Sequence, residues 1–491
     1  MYETHTATLF FVGDRAYKLK KPVDLGFLDY TAVASRRTAC EREVVLNRRF
    51  APDVYVGVGE FRGPGAETPE PLVVMRRMPA ERRLSRLVRE GAAVDGVLRT
   101  VARHLAAWHA RAPRGRDVDE QATRDALSAR WEASFAQMHA LAAEGLACDG
   151  VSEVERLVRR YLAGREPLFD ARIERGRVVD GHGDLLAEDI FCLDDGPRVL
   201  DCLEFDDHLR YVDGLDDAAF LAMDLEHLGA PEAAAYFLAR YGEYAGDPAP
   251  PSLWHHYVAY RAFVRAKVSL IRAGQGASGA ETVSRRLTST ALRHLRTSAV
   301  SLTVVAGLPG SGKSTLSGAL ADRLGVTLLS SDRVRKELAG IPAEQSAAAG
   351  YGEGLYTPEW TARTYAALLD RAAALLSCGE SVVLDATWSD AGRRAAASRV
   401  AERTSADLVA LHCQVPADVT AARLSARGPG TSDAGPDTAA AMAVREPPWP
   451  EAVPIDTGGA LEAAVARALS AVRPWDTGRA PVFRRPYMEP D

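Results

Sequence analysis

The stretch Ser301–Thr315, SLTVVAGLPGSGKST, constrains this chain more than any other. A β-branched apolar run is followed by Gly307, four residues, then Gly312, Lys313 and Ser314. That is the spacing of a phosphate-cradling loop. The apolar run reads as a buried parallel strand. The glycines let the backbone curl so that successive N–H groups face phosphate oxygens. TLSGALADRL, which follows, has helical periodicity and brings a helix N-terminus to the same anion. Gly307, Leu308, Pro309, Gly310, Ser311, Gly312, Lys313, Ser314 and Thr315 are therefore the expected nucleotide-binding residues. In a loop of this spacing Lys313 is expected to reach the β- and γ-phosphates and the Ser314 hydroxyl to sit on magnesium.

A chain of 491 residues is too long for one ordinary domain. Its hydrophobic content of 47% and charged content of 26% allow large soluble cores. The net charge of −6 argues against a chain-wide footprint for nucleic acid. The cysteines Cys40, Cys148, Cys192, Cys202, Cys378 and Cys413 show neither a CxxC pair nor zinc spacing, and read as reduced packing thiols. No secretion signal and no membrane span is predicted. The expected setting is cytoplasmic, the expected partner a small hydroxylated substrate.

The N-terminal half begins with strand patterns. THTATLFFVGD and RAYKLKKPV meet at Gly13-Asp14, a hairpin signal. FLDYTAVASRRTACEREVVLNRRFAP has helical spacing; VYVGVGEF and PLVVMRRM read as strands; residues 85–164 are helical in pattern. The order is a small β-rich lobe, then a mostly helical one. In VVDGHGDLLAEDIFCLDDGPRVLDCLEFDD, a loop with His182 and Asp184 precedes strand DIFCL, a turn, and strand RVLDCLEF. The hairpin gathers Asp184, Asp189 and Asp201. Converging carboxylates repel unless a cation neutralises them, which points to magnesium.

HGDLLAED resembles the catalytic loop of aminoglycoside phosphotransferases and related kinase-like small-molecule kinases, and LDCLEFDD resembles their magnesium-binding strand end. The resemblance implies Asp184 as the residue that orients the acceptor hydroxyl, Asp189 and Asp201 as magnesium ligands, and Asp217 as the helix-start acid bracing the loop. YKLK matches the phosphate-gripping lysine, with Lys20 the better fit and Lys18 on the same strand face; the helix partner is Glu41 or Glu43. Two departures stand out. Asp189 replaces the usual Asn, and only about ten residues precede Gly13, little chain for the usual nucleotide cover. Further on, Arg261, Arg265 and Lys267 share a helix, with the two arginines one turn apart. They read as an anion or domain contact, or as a solvated basic face.

In the C-terminal half, VTLLSSDRVRKEL ends a strand at Asp332, placed to meet an acceptor hydroxyl, with Arg335 one turn on. GLYTPEWTARTYAALLDRAAALLSCG reads as an amphipathic helix walling the acceptor. SVVLDAT is a strand ending in Asp385, suited to the magnesium shell; DLVALHCQVP is another. ADVTAARLSARG carries Arg423 and Arg427 at i, i+4 before a Gly/Pro-rich stretch, the pattern of a closing lid whose arginines stabilise a transferring phosphoryl group. AVPIDTGG is a last strand, and the tail from about Arg473 is Pro-rich. This half resembles P-loop kinases of small molecules and nucleic-acid ends, including gluconate kinase, adenylylsulfate kinase and zeta-toxin-like proteins.

The expected architecture is α/β and α+β. A protein-kinase-like bilobal domain spans 1–295, a P-loop kinase with a doubly wound parallel sheet 296–475, and a Pro-rich tail 476–491. The resemblance implies a bifunctional ATP- and Mg2+-dependent kinase acting on a hydroxyl. The alternatives are an active P-loop kinase carrying a binding or regulatory N-terminal domain, and a polynucleotide 5′-hydroxyl kinase.

Overall fold

The computed structural model describes residues 2–3, 6–24, 29–63, 68–342, 345, 353–426 and 447–475. The first lobe is a five-stranded antiparallel sheet, order β1-β2-β3-β5-β4, of β1 (Tyr2–Glu3), β2 (Ala7–Val12), β3 (Arg15–Lys20), β4 (Tyr55–Phe61) and β5 (Glu70–Arg76). β2 and β3 pair from Ala7↔Lys20 to Val12↔Arg15, leaving Gly13-Asp14 as the turn. Gly13 has φ 58°, the positive value that the first position of such a turn needs. Helix α1 (Val33–Asn47) lies on the sheet, with Cys40 and Val44 packed against Ala16, Val73 and Met75. It begins later than its periodicity predicts, because Asp29 Oδ1 accepts from the Thr31 N–H at 2.8 Å and holds the approach in a turn.

The second lobe is helical, in chain order α2 (Leu84–Arg89), α3 (Asp95–Arg111), α4 (Arg116–Glu120), α5 (Arg124–Ala143), α6 (Val151–Ala163) and α7 (Glu166–Glu174). After two small strand pairs come α8 (Gly214–His227), α9 (Pro231–Ala245), α10 (Pro251–Gly274) and α11 (Ala280–Thr297). β6 (Val178–Asp180) pairs with β9 (Tyr211–Asp213), and β7 (Ile190–Leu193) with β8 (Gly196–Val199). The strand expected over 198–205 stops at Val199. Asp201 turns into the left-handed region (φ 62°), and the Cys202 N–H donates to Asn47 Oδ1 at 2.8 Å rather than to a neighbouring strand.

The C-terminal half is a parallel sheet of order β11-β12-β10-β13-β14: β10 (Ser301–Ala306), β11 (Thr327–Ser330), β12 (Val382–Asp385), β13 (Asp407–Gln414) and β14 (Val453–Asp456). All of β10 is buried, as a strand covered on both faces must be. Helices α12 (Lys313–Leu324), α13 (Ser331–Leu338), α14 (Pro358–Ser377), α15 (Ala391–Arg403) and α16 (Ala417–Ser425) and the closing helix Leu461–Val472 flank it. Neither α15 nor the closing helix is foreseen from the pattern, being short and Ala-rich.

The two halves dock firmly. One core runs from the helical lobe through Leu295 and Val300 to Leu302, Leu368 and Trp388. Arg165 Nη1 donates to the Thr404 carbonyl at 2.7 Å, and Ser252 Oγ to the Gly379 carbonyl at 2.7 Å. A Cβ on Gly164 would lie 2.1 Å from the Thr404 oxygen, so only glycine fits that approach. No described helix is long and apolar enough to cross a membrane.

Candidate active sites

In the first module, Glu43 on α1 is fully buried and accepts from Lys18 at 2.9 Å and Lys20 at 2.6 Å. The lysines alternate with Leu19 on β3, so both face α1. Lys18 also donates to Asp201 at 2.6 Å, while Lys20 pairs with Glu204. Lys18 keeps 12% of its side chain exposed and Lys20 1%, so Lys18 is the more accessible of two largely buried lysines that share Glu43. The helix partner is not Glu41, which is exposed and points away from β3; helix phase aims Glu43 inward instead. Burial opposes the Lys18 charge, but Asp201 and Glu43 outweigh it and hold the ammonium well above the ordinary lysine range.

The catalytic-type loop is pinned from below. Asp217 on α8 accepts from the His182 N–H at 2.8 Å and the Gly183 N–H at 2.9 Å. His109 Nε2–H donates to the same carboxylate at 3.0 Å, and His109 Nδ1 meets the Tyr241 hydroxyl at 2.8 Å. Burial resists the Asp217 charge, yet His109 and these bonds pull its pKa far down. His182 is fully buried; burial lowers its pKa, and Nε2–H donates to the Leu200 carbonyl at 3.1 Å. The loop is thereby tied to the residue preceding Asp201.

Burial raises the Asp184 carboxyl to about 6; Arg265 opposes the rise and Asp201 adds to it. Asp189 is pushed well up by burial and by the charges of Asp201 and Asp184. These carboxylates feel one another, but among the described residues no three acidic, His or Cys side chains form a ready-made metal cage. Magnesium does not demand one: it takes one or two carboxylates together with phosphate oxygens and water.

Arg261 is 5% exposed and bidentate to Asp216 on α8 at 2.7 and 2.8 Å, so it is neither a solvated face nor an anion contact. Glu204, Asn47 and Asp216 were missed in the sequence. Glu204 lies within LDCLEFDD, and a buried second lysine is the one signal that calls for it.

In the second module the phosphate loop joins β10 to α12. Gly307, Gly310 and Gly312 have φ 150°, 81° and 83°. A Cβ on Gly307 would meet Ser311 Oγ at 2.5 Å, and one on Gly310 would meet Leu424 Cγ at 2.9 Å. The glycines are thus demanded both by the curl and by close packing. Lys313 and Ser314 open α12, at the carboxyl end of the central strand. Asp385 ends β12, the adjacent strand; it is 5% exposed, and its Oδ1 has no hydrogen-bond partner among the described residues. Burial raises its pKa against the pull of Lys313 and of the Ser314 and Ser330 hydroxyls, and Asp332 adds to the rise. An orphaned buried carboxylate oxygen beside a Walker-type serine fits a hydrated magnesium.

Asp332 is half-buried in the first turn of α13, whose N-cap is Ser330. Arg335 donates to the Leu355 carbonyl at 2.8 Å and lies 4.6 Å from the Tyr356 ring centroid, so packing holds it in place. Arg423 Nη2 donates to the Thr457 carbonyl at 2.8 Å, and its Nη1 is 3.3 Å from where a Gly312 Cβ would stand, beside the loop. Arg427, the lid expected after it, and the tail 476–491 lie outside the described residues.

Fold and sites together define a fusion of a kinase-like bilobal domain with a P-loop kinase-type module. The AAA domain family matches residues 302–446. An uncharacterized protein of Mycobacterium tuberculosis is 43% identical over 466 residues, 95% of this chain and 94% of its own, and one of Mycobacterium bovis matches equally. The chain belongs to that two-module family. Among solved structures, a sugar kinase from Janibacter sp. is 20% identical, covering 35% of this chain and 94% of its own, with TM-score 0.27. The GDP and kanamycin complex of the aminoglycoside phosphotransferase APH(2″)-IIIa is 14% identical over 59% of this chain and 91% of its own, with TM-score 0.40. A Plasmodium vivax ethanolamine kinase is 11% identical over 58% and 82%, with TM-score 0.33.

Proposed function

We propose that the chain is an ATP- and magnesium-dependent phosphotransferase with two working modules, each passing a γ-phosphoryl group to a hydroxyl of a small molecule of sugar, aminoglycoside or nucleoside type. The observation that carries this reading is the buried, unpartnered Oδ1 of Asp385, one strand away from the phosphate loop and close to Lys313 and Ser314. In the second module the loop amides and Lys313 hold the β- and γ-phosphates. Ser314 and Asp385 would hold magnesium, which when bound screens the charge of the phosphate oxygens. Asp332 takes the proton of the attacking hydroxyl, whose oxygen bonds to phosphorus as the bond to the ADP oxygen breaks. Arg423 adds positive charge beside Gly312, and Arg427 is its expected companion. Catalysis of this kind is mostly positioning and charge.

In the first module Lys18 holds phosphate, Asp184 orients the acceptor hydroxyl, and Asp189 and Asp201 would ligate magnesium. The assembled Lys18–Glu43–Asp201 group favours an active module over a purely binding one.

The test is a mass-spectrometric screen of hydroxylated metabolites, antibiotics and a 5′-hydroxyl oligonucleotide with ATP and magnesium, on the full chain. Asp184→Ala and Lys313→Ala should each abolish one set of products and spare the other. If Asp184→Ala leaves every product intact, the first module is a binding unit. If Lys313→Ala leaves all turnover intact, the assignment of the second module fails.

A further inference from the structure

Among the described residues, three that are not glycine have a left-handed backbone: Asp201, Trp388 and Ser405. Trp388, at φ 52°, is the bulkiest and is fully buried. Such a conformation is strained for a side chain of this size and persists only where its surroundings impose it. Here they do. The Trp388 N–H donates to the Tyr365 hydroxyl at 3.3 Å, and that hydroxyl meets Thr387 Oγ1 at 3.1 Å. Arg394 Nε donates to the Trp388 carbonyl at 2.6 Å. The turn then reaches the nucleotide site directly, because the Thr387 carbonyl accepts from the N–H of Gly307, the first residue of the phosphate loop, at 3.4 Å.

Arg394 is 8% exposed, and its recorded partners are main-chain carbonyls rather than a carboxylate. Its other two nitrogens donate to the carbonyls of Pro448 at 3.0 Å and Pro447 at 3.1 Å, and its guanidinium lies 4.6 Å from the Trp449 ring centroid. One planar fork thus ties α15, the turn after β12 and the approach to β14 together. An ammonium, with no fixed fork, cannot span three carbonyls in that geometry.

We propose that Arg394 is a positioning residue for the phosphate loop. By holding Trp388 in the left-handed turn it fixes the Thr387 carbonyl against Gly307, and with it the angle at which the loop amides meet phosphate. The inference rests on the nucleotide-binding reading of Lys313 given above.

The test is calorimetric titration of the full chain, carrying Asp201→Asn to silence the first module, with ATP and magnesium. Arg394→Lys should weaken the Kd about tenfold. Because that variant can also lose stability, a second pair isolates the turn. Trp388→Asn and Trp388→Val empty the same buried pocket, so the difference between them reads the turn alone: Asn tolerates a positive φ, whereas β-branched Val resists it and should weaken the Kd at least about threefold more than Asn does. An unchanged Kd in Arg394→Lys, whatever its melting temperature, overturns the proposal, as does equal weakening by Asn and Val. If the parent shows no ATP affinity that Lys313→Ala removes, the underlying reading fails instead.

Discussion

The two candidate sites are built by opposite means. Residues 307–315 form the second from consecutive main chain, with three glycines at positive φ. The first is assembled from side chains far apart in sequence: Lys18 reaches Glu43 across 25 positions and Asp201 across 183. A main-chain cradle depends on backbone freedom and local packing. A side-chain cradle depends on buried charges that neutralise one another, and it fails when one is removed.

The largest expected effect tests the first half of that contrast. Gly310→Ala puts a methyl 2.9 Å from Leu424 Cγ at φ 81°. Second-module turnover should fall at least about 10²-fold, the scale of losing an aligned donor, while first-module turnover holds. Equal loss in both modules would dissolve the distinction. Next, Glu43→Gln leaves two lysines without their shared counter-ion and should destabilise the first lobe by about 3–5 kcal/mol in denaturant titration. Glu41→Gln, on the exposed face, should stay within about 0.5 kcal/mol.

A pH series sharpens the comparison further. Burial works against the charge of Glu226, but His294 and Arg293 prevail and draw its pKa down to about 2, from an ordinary 4.5. A depressed carboxylate pKa contributes stability that is present above about 4.5 and lost as pH falls toward 2. Wild-type stability should decline through that window, and Glu226→Gln should flatten the decline; parallel curves would deny the link between α8 and α11 its charge. A smaller loss than that of Glu43→Gln belongs to the seam. Gly164→Ala forces the Thr404 carbonyl away and should cost about 1–3 kcal/mol by thermal melting.

Reading the chain in order found what is local. The β2–β3 hairpin announced itself through Gly13-Asp14, and the phosphate loop through its glycine spacing. The kinase-like lobe and the parallel sheet both took the expected form. What escaped depends on partners distant in sequence. Periodicity puts Glu41 and Glu43 on opposite faces of α1, and only the docking of α1 on the sheet shows that the Glu43 face is the inner one. The strand pattern of RVLDCLEF hid the left-handed turn at Asp201, because the force that breaks it comes from Asn47, 155 residues earlier. Arg261 was open to reading as an anion or domain contact or as a solvated basic face until Asp216 appeared opposite it.

The sequence by itself determined that a strand, a curled glycine loop and a helix would follow one another at residues 301–324, since backbone conformation there is set by adjacent residue types. It also determined which acidic residues stand at strand ends. Tertiary structure alone decided which charges neutralise one another: Glu43 as the shared counter-ion of Lys18 and Lys20, Asp216 opposite Arg261, and Arg394 gripping three carbonyls. The reason is that burial makes an unpaired charge expensive, and burial is a property of the packed molecule, not of any segment of it.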